Sequence, residues 1–385
     1  MSVAPASGPV ASSMPDTSEA AGIYVHIPFC LTRCGYCDFN AYAGLDGLKP
    51  RYLRAVLTEA SLAAPSWDGV RVASVFVGGG TPTTMEPADL KALLAHLRDR
   101  FAVDDDAEVT IEANPDTVDE SAFEQLVSAG YHRVSLGAQS FDLAVLERLE
   151  RVHSPSSVRT AVAAARRAGM RNLNLDLIYG VDGESVESWE RSLREAVALA
   201  PDHVSAYALT IEPATPLGRQ VASGARPAPD PDAQAEMFEL ACGVLRDAGY
   251  HHYEVSNWAK PGFECRHNLG YWQRRPYVGL GAGAHSYRDT TRWWNARPPE
   301  TYLARVAAGE LPIAGSETLE PGDAYLEEVF LKLRILEGVP SAWFEPASYE
   351  RFVDAGLLVD DLGTLVPTER GMLLLNELVL GLTAD

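Results

Sequence analysis

From residue 23 to residue 250 the chain repeats one pattern: a short apolar run, then a longer amphipathic one. Ile23–Ile27, Ala73–Val77, Glu108–Ala113, Arg133–Ala138, Asn172–Ile178 and His203–Leu209 read as strands, being short and rich in Val, Ile and Leu. Between them Leu48–Ala64, Pro87–Phe101, Ser121–Ala129, Pro155–Ala168 and Val186–Ala200 read as helices, and Asp230–Ala248 follows the sixth strand. Regular β–α alternation requires crossover connections, which are right-handed and build a parallel sheet. Six units predict an α/β fold, an incomplete (β/α)6 barrel rather than a closed eight-stranded one.

Ligands of parallel α/β folds sit at the carboxyl ends of the strands. The first strand ends at Cys30-Leu-Thr-Arg-Cys34-Gly-Tyr36-Cys37 and the second at Gly78-Gly-Gly80-Thr81-Pro82. The third carries Glu112, the fourth ends in Gly137-Ala-Gln139, the fifth holds Asp176 and the sixth Tyr207. Polar or Gly-rich residues thus fall at one end of every strand. Three glycines permit close backbone approach to a ligand, or else simply turn the chain. Glu112 and Asp176 are costly in apolar strands unless hydrogen-bonded, by a ligand's hydroxyls or by an internal pair with Arg133.

The three clustered cysteines are soft thiolate ligands for iron–sulfur clusters or zinc. Cys34-Gly-Tyr-Cys37 alone could be a redox dithiol, but that leaves Cys30 idle. Structural zinc needs a fourth Cys or His at matching spacing, and Cys242 and Cys265 stand too far apart from one another. Three thiolates are one short of the four that usually hold a cubane cluster, so one iron is left for a substrate. The C-x3-C-x2-C spacing resembles the radical S-adenosylmethionine (SAM) superfamily, in which SAM takes that iron.

The charge narrows the partners. The chain has 385 residues, 32 basic and 53 acidic, for a net charge of −21. A field of that sign repels nucleic-acid phosphates and anionic lipid. No apolar run reaches the roughly 18 residues of a membrane span. Five cysteines, three of them clustered, are not a disulfide framework, and the expectation is a reducing cytoplasm. Residues 1–20 read as a disordered tail without a signal peptide's basic start. Residues 320–385 read as helices plus a hairpin, a winged-helix-like module. Its four basic and thirteen acidic residues from position 318 on argue against DNA. Residues 21–255 would form the partial barrel, and 256–319 a closing segment in which Gly279–Tyr287 is a tight connection.

Tyr24-Val-His-Ile-Pro-Phe-Cys30, GGGTPT, IEANPD, GAQSF and DLIYG together resemble the anaerobic coproporphyrinogen III oxidase family, over residues 22–385. The resemblance implies that Cys30, Cys34 and Cys37 bind a [4Fe–4S] cluster. It implies a SAM site of Tyr24, Tyr36, Gly80, Thr81, Pro82, Glu112, Gln139, Arg151 and Asp176, with Arg151 on the methionine carboxylate. The oxidase branch has a fourth cysteine where this chain has Phe39, and a longer N-terminal arm. Both departures are shared with the family's other branch, the heme chaperones. That branch carries H-N-x-x-Y-W, here His267-Asn-Leu-Gly-Tyr271-Trp272. It implies heme at His267, Tyr271 and Trp272, with His285 or Cys265 as other candidate axial ligands. It implies delivery to acceptor hemoproteins such as cytochromes or respiratory enzymes, peripheral membrane contact through such partners, and a cluster-dependent homodimer. The alternatives are the oxygen-independent oxidase itself and a radical methyltransferase.

Overall fold

The structure, a computed structural model, describes residues 20–383. The tail expected over residues 1–20 lies outside the described residues except for Ala20. The six expected strands form β1 (Ala21–Ile27), β2 (Arg71–Gly79), β3 (Ala102–Ala113), β4 (Arg133–Gln139), β5 (Asn172–Tyr179) and β6 (His203–Ala208). Each pairs in parallel with the next. Their crossovers carry α1 (Lys49–Ala63), α2 (Pro87–Arg100), α3 (Glu120–Ala129), α4 (Leu143–Arg148), α5 (Pro155–Arg167) and α6 (Val186–Ala198). After β6 come α7 (Pro216–Ala222) and α8 (Pro231–Asp247). The short helices α4 and α7 were not expected; with six and seven residues they carry too little periodicity to be read.

Alternation along the strands separates two cores. Ile23, Val25 and Ile27, with Val109 and Ile111 or Leu173, Leu175 and Leu177, pack outward against the helices and are all but fully buried. The residues between them face inward and are mostly polar: Ser74, Glu108, Arg133, Ser135, Asn174, His203 and Ser205 are buried too. Buried polar groups persist only when paired, and these form a network. Asn174 Nδ2 donates to Ser135 Oγ (2.7 Å), Ser205 Oγ (3.0 Å) and Asp176 Oδ1 (2.8 Å), and Asn174 Oδ1 lies 2.6 Å from His203 Nδ1. The barrel interior is a fixed polar scaffold.

The sheet does not stop at six strands. At one edge β6 is followed by β7 (His251–Glu254) and β8 (Asn257–Ala259), with β8 antiparallel to β6. At the other, after α9 (Arg266–Trp272), β9 (Tyr277–Leu280) pairs in parallel with β1. Antiparallel strands β10 (His285–Arg288), β11 (Thr291–Asn295) and β12 (Ile313–Thr318) follow, with α10 (Pro299–Ala307) before the last. The order is β12-β11-β10-β9-β1-β2-β3-β4-β5-β6-β8-β7. Gly279–Tyr287, expected as a tight connection, is strand, turn and strand. Beyond it lie α11 (Pro321–Lys332), β13 (Val339–Pro340), α12 (Pro346–Asp354), β14 (Leu358–Asp361), β15 (Thr364–Pro367), α13 (Glu369–Met372) and α14 (Leu375–Thr383). This region joins the β7 edge: Val255 N–H donates to Arg334 O (2.9 Å) and Leu336 N–H to Tyr253 O (3.2 Å). Among the described residues no helix is long and apolar enough to cross a membrane.

Candidate functional site

A cavity of about 420 Å³ opens at the carboxyl ends of β1–β6. Cys30, Cys34 and Cys37 line it, on a loop closed at its base by parallel pairing of Phe29–Cys30 with Tyr42–Ala43. All three are free thiols, and burial pushes those of Cys30 and Cys37 up, so a bound metal must displace their protons. Two donors meet the sulfurs: Thr81 Oγ1 on Cys30 Sγ (3.6 Å) and Arg151 Nη1 on Cys34 Sγ (3.4 Å). The Thr81 hydroxyl opposes the rise at Cys30. No three His, Cys, Asp or Glu among the described residues converge as a single ion would require. Three thiols spread around one cavity suit a larger group, in which each sulfur takes its own iron. The residues fit a [4Fe–4S] cluster, which Cys30, Cys34 and Cys37 would hold.

Tyr36, Gly80, Thr81, Glu112, Gln139, Arg151 and Asp176 line the same cavity. The glycine run supplies space rather than spare donors. Gly79 has φ +113°, and its N–H is spent on Glu112 Oε2 (2.8 Å). A Cβ there would lie 2.5 Å from the His26 ring. Gly80 N–H is spent on Ile27 O (2.8 Å). Gly137 likewise makes room, since its Cβ would stand 2.8 Å from Gln139 Nε2. Gln139 follows a register shift in β4 and has φ +61°, a strained setting for a side chain and common beside ligand sites.

The two carboxylates differ in their support. Asp176 Oδ2 accepts from Ser135 Oγ (2.7 Å) and Oδ1 from Asn174, which offset the burial that raises its pKa. Burial pushes Glu112 up to about 7, with the Gly79 N–H opposing and Asp176 adding to the rise. The buried Arg133 guanidinium holds both down from a distance. Both carboxylates face the cavity as acceptors for ligand hydroxyl or ammonium groups.

Two expected residues stand apart from this cavity. Pro82 is buried at the start of a 3-10 turn, Pro82–Thr84. Tyr24 points elsewhere, with its hydroxyl 3.0 Å from His26 Nδ1. The heme expectation needs a larger correction. His267 is 3% exposed on α9, between Ser74 Oγ (2.8 Å from Nδ1) and Tyr271 OH (2.9 Å from Nε2). Burial, then Arg133, pushes its pKa down to about 3. Both ring nitrogens are taken, and His267 braces α9 against β2. Cys265 is fully buried, with Sγ donating to Glu108 Oε1 (3.5 Å). Trp272 turns toward Glu254, on the β7 edge.

Tyr24 and Tyr271 instead line a second, open cleft of about 620 Å³. Phe39, Tyr277 and Tyr287 add aromatic surface, and Arg274, Arg292 and Arg297 bring cations. Arg274 Nη2 donates to Tyr287 OH (2.9 Å), and Arg292 pairs with Glu317 and with Glu327 (2.6 Å). His285 stands exposed in this cleft with its ring on Trp294, centroids 5.8 Å apart, and no hydrogen bond takes its ring nitrogens among the described residues. Burial, then Arg297 and Arg292, lowers its pKa, which keeps the imidazole neutral and able to ligate. Of the two candidate histidines, His267 has both ring nitrogens taken, whereas among the described residues no hydrogen bond takes those of His285. The arginines went unread although the sequence signals them: residues 266–297 carry six Arg and one Asp in a chain of net charge −21.

Residues 24–196 match the family model of the radical SAM superfamily. The chain is 46% identical over 382 residues to the heme chaperone HemW of Mycobacterium tuberculosis, covering 98% of this chain and 97% of that one. It is 35% identical over 371 residues to the heme chaperone HemW of Escherichia coli, covering 93% and 96%. In fold it is similar to the coproporphyrinogen III oxidase HemN of Escherichia coli, a radical SAM enzyme, with a TM-score of 0.82, 22% identity and coverage of 95% and 91%. The near-complete span of these relatives, together with the cysteine loop at the end of β1, leads to one assignment: the chain belongs to the HemW family of the radical SAM superfamily.

Proposed function

We propose that this protein is a heme chaperone that holds heme in the second cleft and delivers it to acceptor hemoproteins such as cytochromes or respiratory enzymes. One observation carries the reading: an open cleft with aromatic walls, arginines and an unpartnered imidazole lies beside the cysteine cavity. Aromatic side chains suit a flat macrocycle, Arg forks suit its propionates, and neutral His285 suits its iron. Cys30, Cys34 and Cys37 hold the [4Fe–4S] cluster. Arg151 offers a fork to the methionine carboxylate of SAM, and Glu112 and Asp176 accept its hydroxyl or ammonium donors. When bound together, cluster and SAM supply one-electron chemistry or a structural lock on the cysteine loop. A reducing cytoplasm, where the five free cysteines persist, suits the reading, as does a dimer formed once the cluster is in place.

The oxidase alternative meets Phe39, an exposed ring without a thiol or a labile proton, where the oxidases carry cysteine. The test is anaerobic reconstitution followed by heme titration and by incubation with coproporphyrinogen III, SAM and reductant. The expected result is one heme per chain and no decarboxylated product. His285→Ala shifts the iron's ligand-field spectrum or weakens binding, whereas His267→Ala leaves the ligand-field spectrum unchanged. Decarboxylated product restores the oxidase; heme binding no better than that of an unrelated acidic protein removes the chaperone.

A further inference from the structure

The two cavities share a wall. Asp38, Phe39, Gly79 and Glu112 line both, and Asp38 and Phe39 directly follow Cys37. The next residue, Asn40, fastens this segment to the far side of the cleft. Its Nδ2 donates to Ala282 O (2.9 Å) and to Arg297 O (2.9 Å). Its Oδ1 accepts from Tyr42 OH (3.0 Å), and its carbonyl lies 3.0 Å from His26 Nε2. The amide is therefore fully used. Ala282 precedes His285 by three residues, and Arg297 has no ion pair among the described residues.

The Gly-rich turn is cut to fit this side chain. Gly283, at φ +74°, would with a Cβ stand 2.8 Å from Asn40 Nδ2. Gly281, at φ +100°, would stand 2.5 Å from His26 O. Gly283 N–H donates to Ala296 O (3.0 Å) and Asn295 N–H to Ala284 O (2.9 Å), so the turn before His285 is tied to the backbone just ahead of Arg297.

We infer that Asn40 is a positioning residue through which ligation of Cys37 sets the placement of His285 and Arg297 in the cleft. Three residues span at most about 11 Å, so a fixed Cys37 leaves Asn40 little freedom. Two hydrogen bonds then carry that restraint to the backbone on both sides of His285. The restraint is reciprocal: a ligand that orders the cleft orders the cysteine loop by the same free energy. That the cleft's ligand is heme rests on the function proposed above; the mechanical link does not.

Hydrogen exchange of residues 281–297, followed by mass spectrometry with and without the reconstituted cluster and SAM, tests the link. Loading should slow exchange there about fivefold or more, the low end of typical couplings between sites. Asn40→Asp keeps the shape and the Oδ1 acceptor but loses both donations; Asn40→Ala loses all. Each variant should take up the same iron as wild type and show no such slowing. A purely structural Asn40 would loosen loaded and unloaded protein alike and keep the difference between them. A second arm follows heme release to apomyoglobin, which loading should change in wild type and not in either variant. Equal slowing in wild type and variants, or none in wild type, overturns the inference. If no heme binds while the exchange pattern holds, the heme reading falls and the link stands.

Discussion

The two cavities are neighbours made by different kinds of backbone. The first is assembled at the carboxyl ends of six parallel strands, where strand ends and the loops that follow them meet at a common rim. The second is assembled from α9, strands β9–β11 and Glu327 and Leu331 of α11, set against Tyr24 and His26 of β1 and the shared wall. In the first, a repeated local pattern fixes where every ligand residue must fall. In the second, most residues meet through pairings that follow from the folded edge of the sheet. The first is a site of soft sulfur and acidic oxygen; the second is one of arginine and aromatic rings. The cations gathered there in so acidic a chain have acidic partners beside them: Glu317, Glu327 and Glu328 pair with Arg274 and Arg292.

The sharpest way to separate the two is to destroy one. Cys34→Ala should abolish the cluster, read as loss of iron and of the thiolate-to-iron absorbance band. Heme should still bind, because none of the three thiols lines the second cleft. Loss of heme binding in this variant would show that the cavities are one site. A cluster that persists in it would displace the thiols from their role.

The same contrast explains what could be read from the sequence. The six parallel strands and their main helices were legible because 2-residue and 3.6-residue periods recur over long runs. The cysteine loop, Glu112, Gln139 and Asp176 followed, since strand ends mark the rim; Arg151 lies past α4, and the family resemblance pointed to it. The edge strands were not legible. β9 and β10 have four residues each around a Gly-rich turn, and Thr291-Arg-Trp-Trp-Asn295 is only half buried on either face, so no clean alternation survives. His267 came from the family's H-N-x-x-Y-W pattern, whereas the structure buries it with both ring nitrogens taken. The spacing held the correction: positions 267 and 271 are i and i+4 on a helix and meet each other, here at 2.9 Å. Pro82 was carried along with the motif, although a proline at the first position of a turn serves the backbone.

Arg151 sharpens the comparison from the first cavity. Arg151→Ala removes the only arginine expected to meet a SAM carboxylate. A charge-assisted hydrogen bond of about 1.5–3 kcal/mol corresponds to a loss of SAM affinity of roughly 10- to 150-fold. Heme affinity measured without cluster or SAM should not change. Unchanged SAM affinity, by equilibrium dialysis, would move the carboxylate to another donor in the cavity.

Glu112 belongs to both cavities, and its titration reports how well the shared wall is sealed. An unfolded glutamate ionises near 4.5 and this one near 7. Between those values the unfolded chain releases a proton that the folded chain keeps, so stability present below pH 4.5 is lost as pH rises through 7. The full shift corresponds to about 3 kcal/mol, and screening by solvent in two open cavities trims it to about 2. Glu112→Gln keeps an acceptor for Gly79 N–H and cannot ionise. In urea unfolding of the cluster-free protein, the variant should therefore gain on wild type between pH 5 and pH 8. A constant difference would mean that Glu112 is hydrated and that the wall is open.

Phe39 gives the smallest effect and the most local one. Its ring is 60% exposed, and it borders both cavities two residues beyond the last cysteine. A flat macrocycle in the second cleft would cover it. An aromatic contact contributes about 0.5–1.5 kcal/mol beyond burial, so Phe39→Ala should weaken heme binding by roughly two- to tenfold. Folding should not suffer, because little packing is lost from an exposed side chain. SAM affinity should stay at the wild-type value if the ring serves the cleft. The opposite pattern, with SAM weakened and heme unaffected, would turn the ring toward the cysteine cavity. Phe39 would then serve the site that the parallel strands build, and the division of labour between the two cavities would have to be drawn on the other side of this residue.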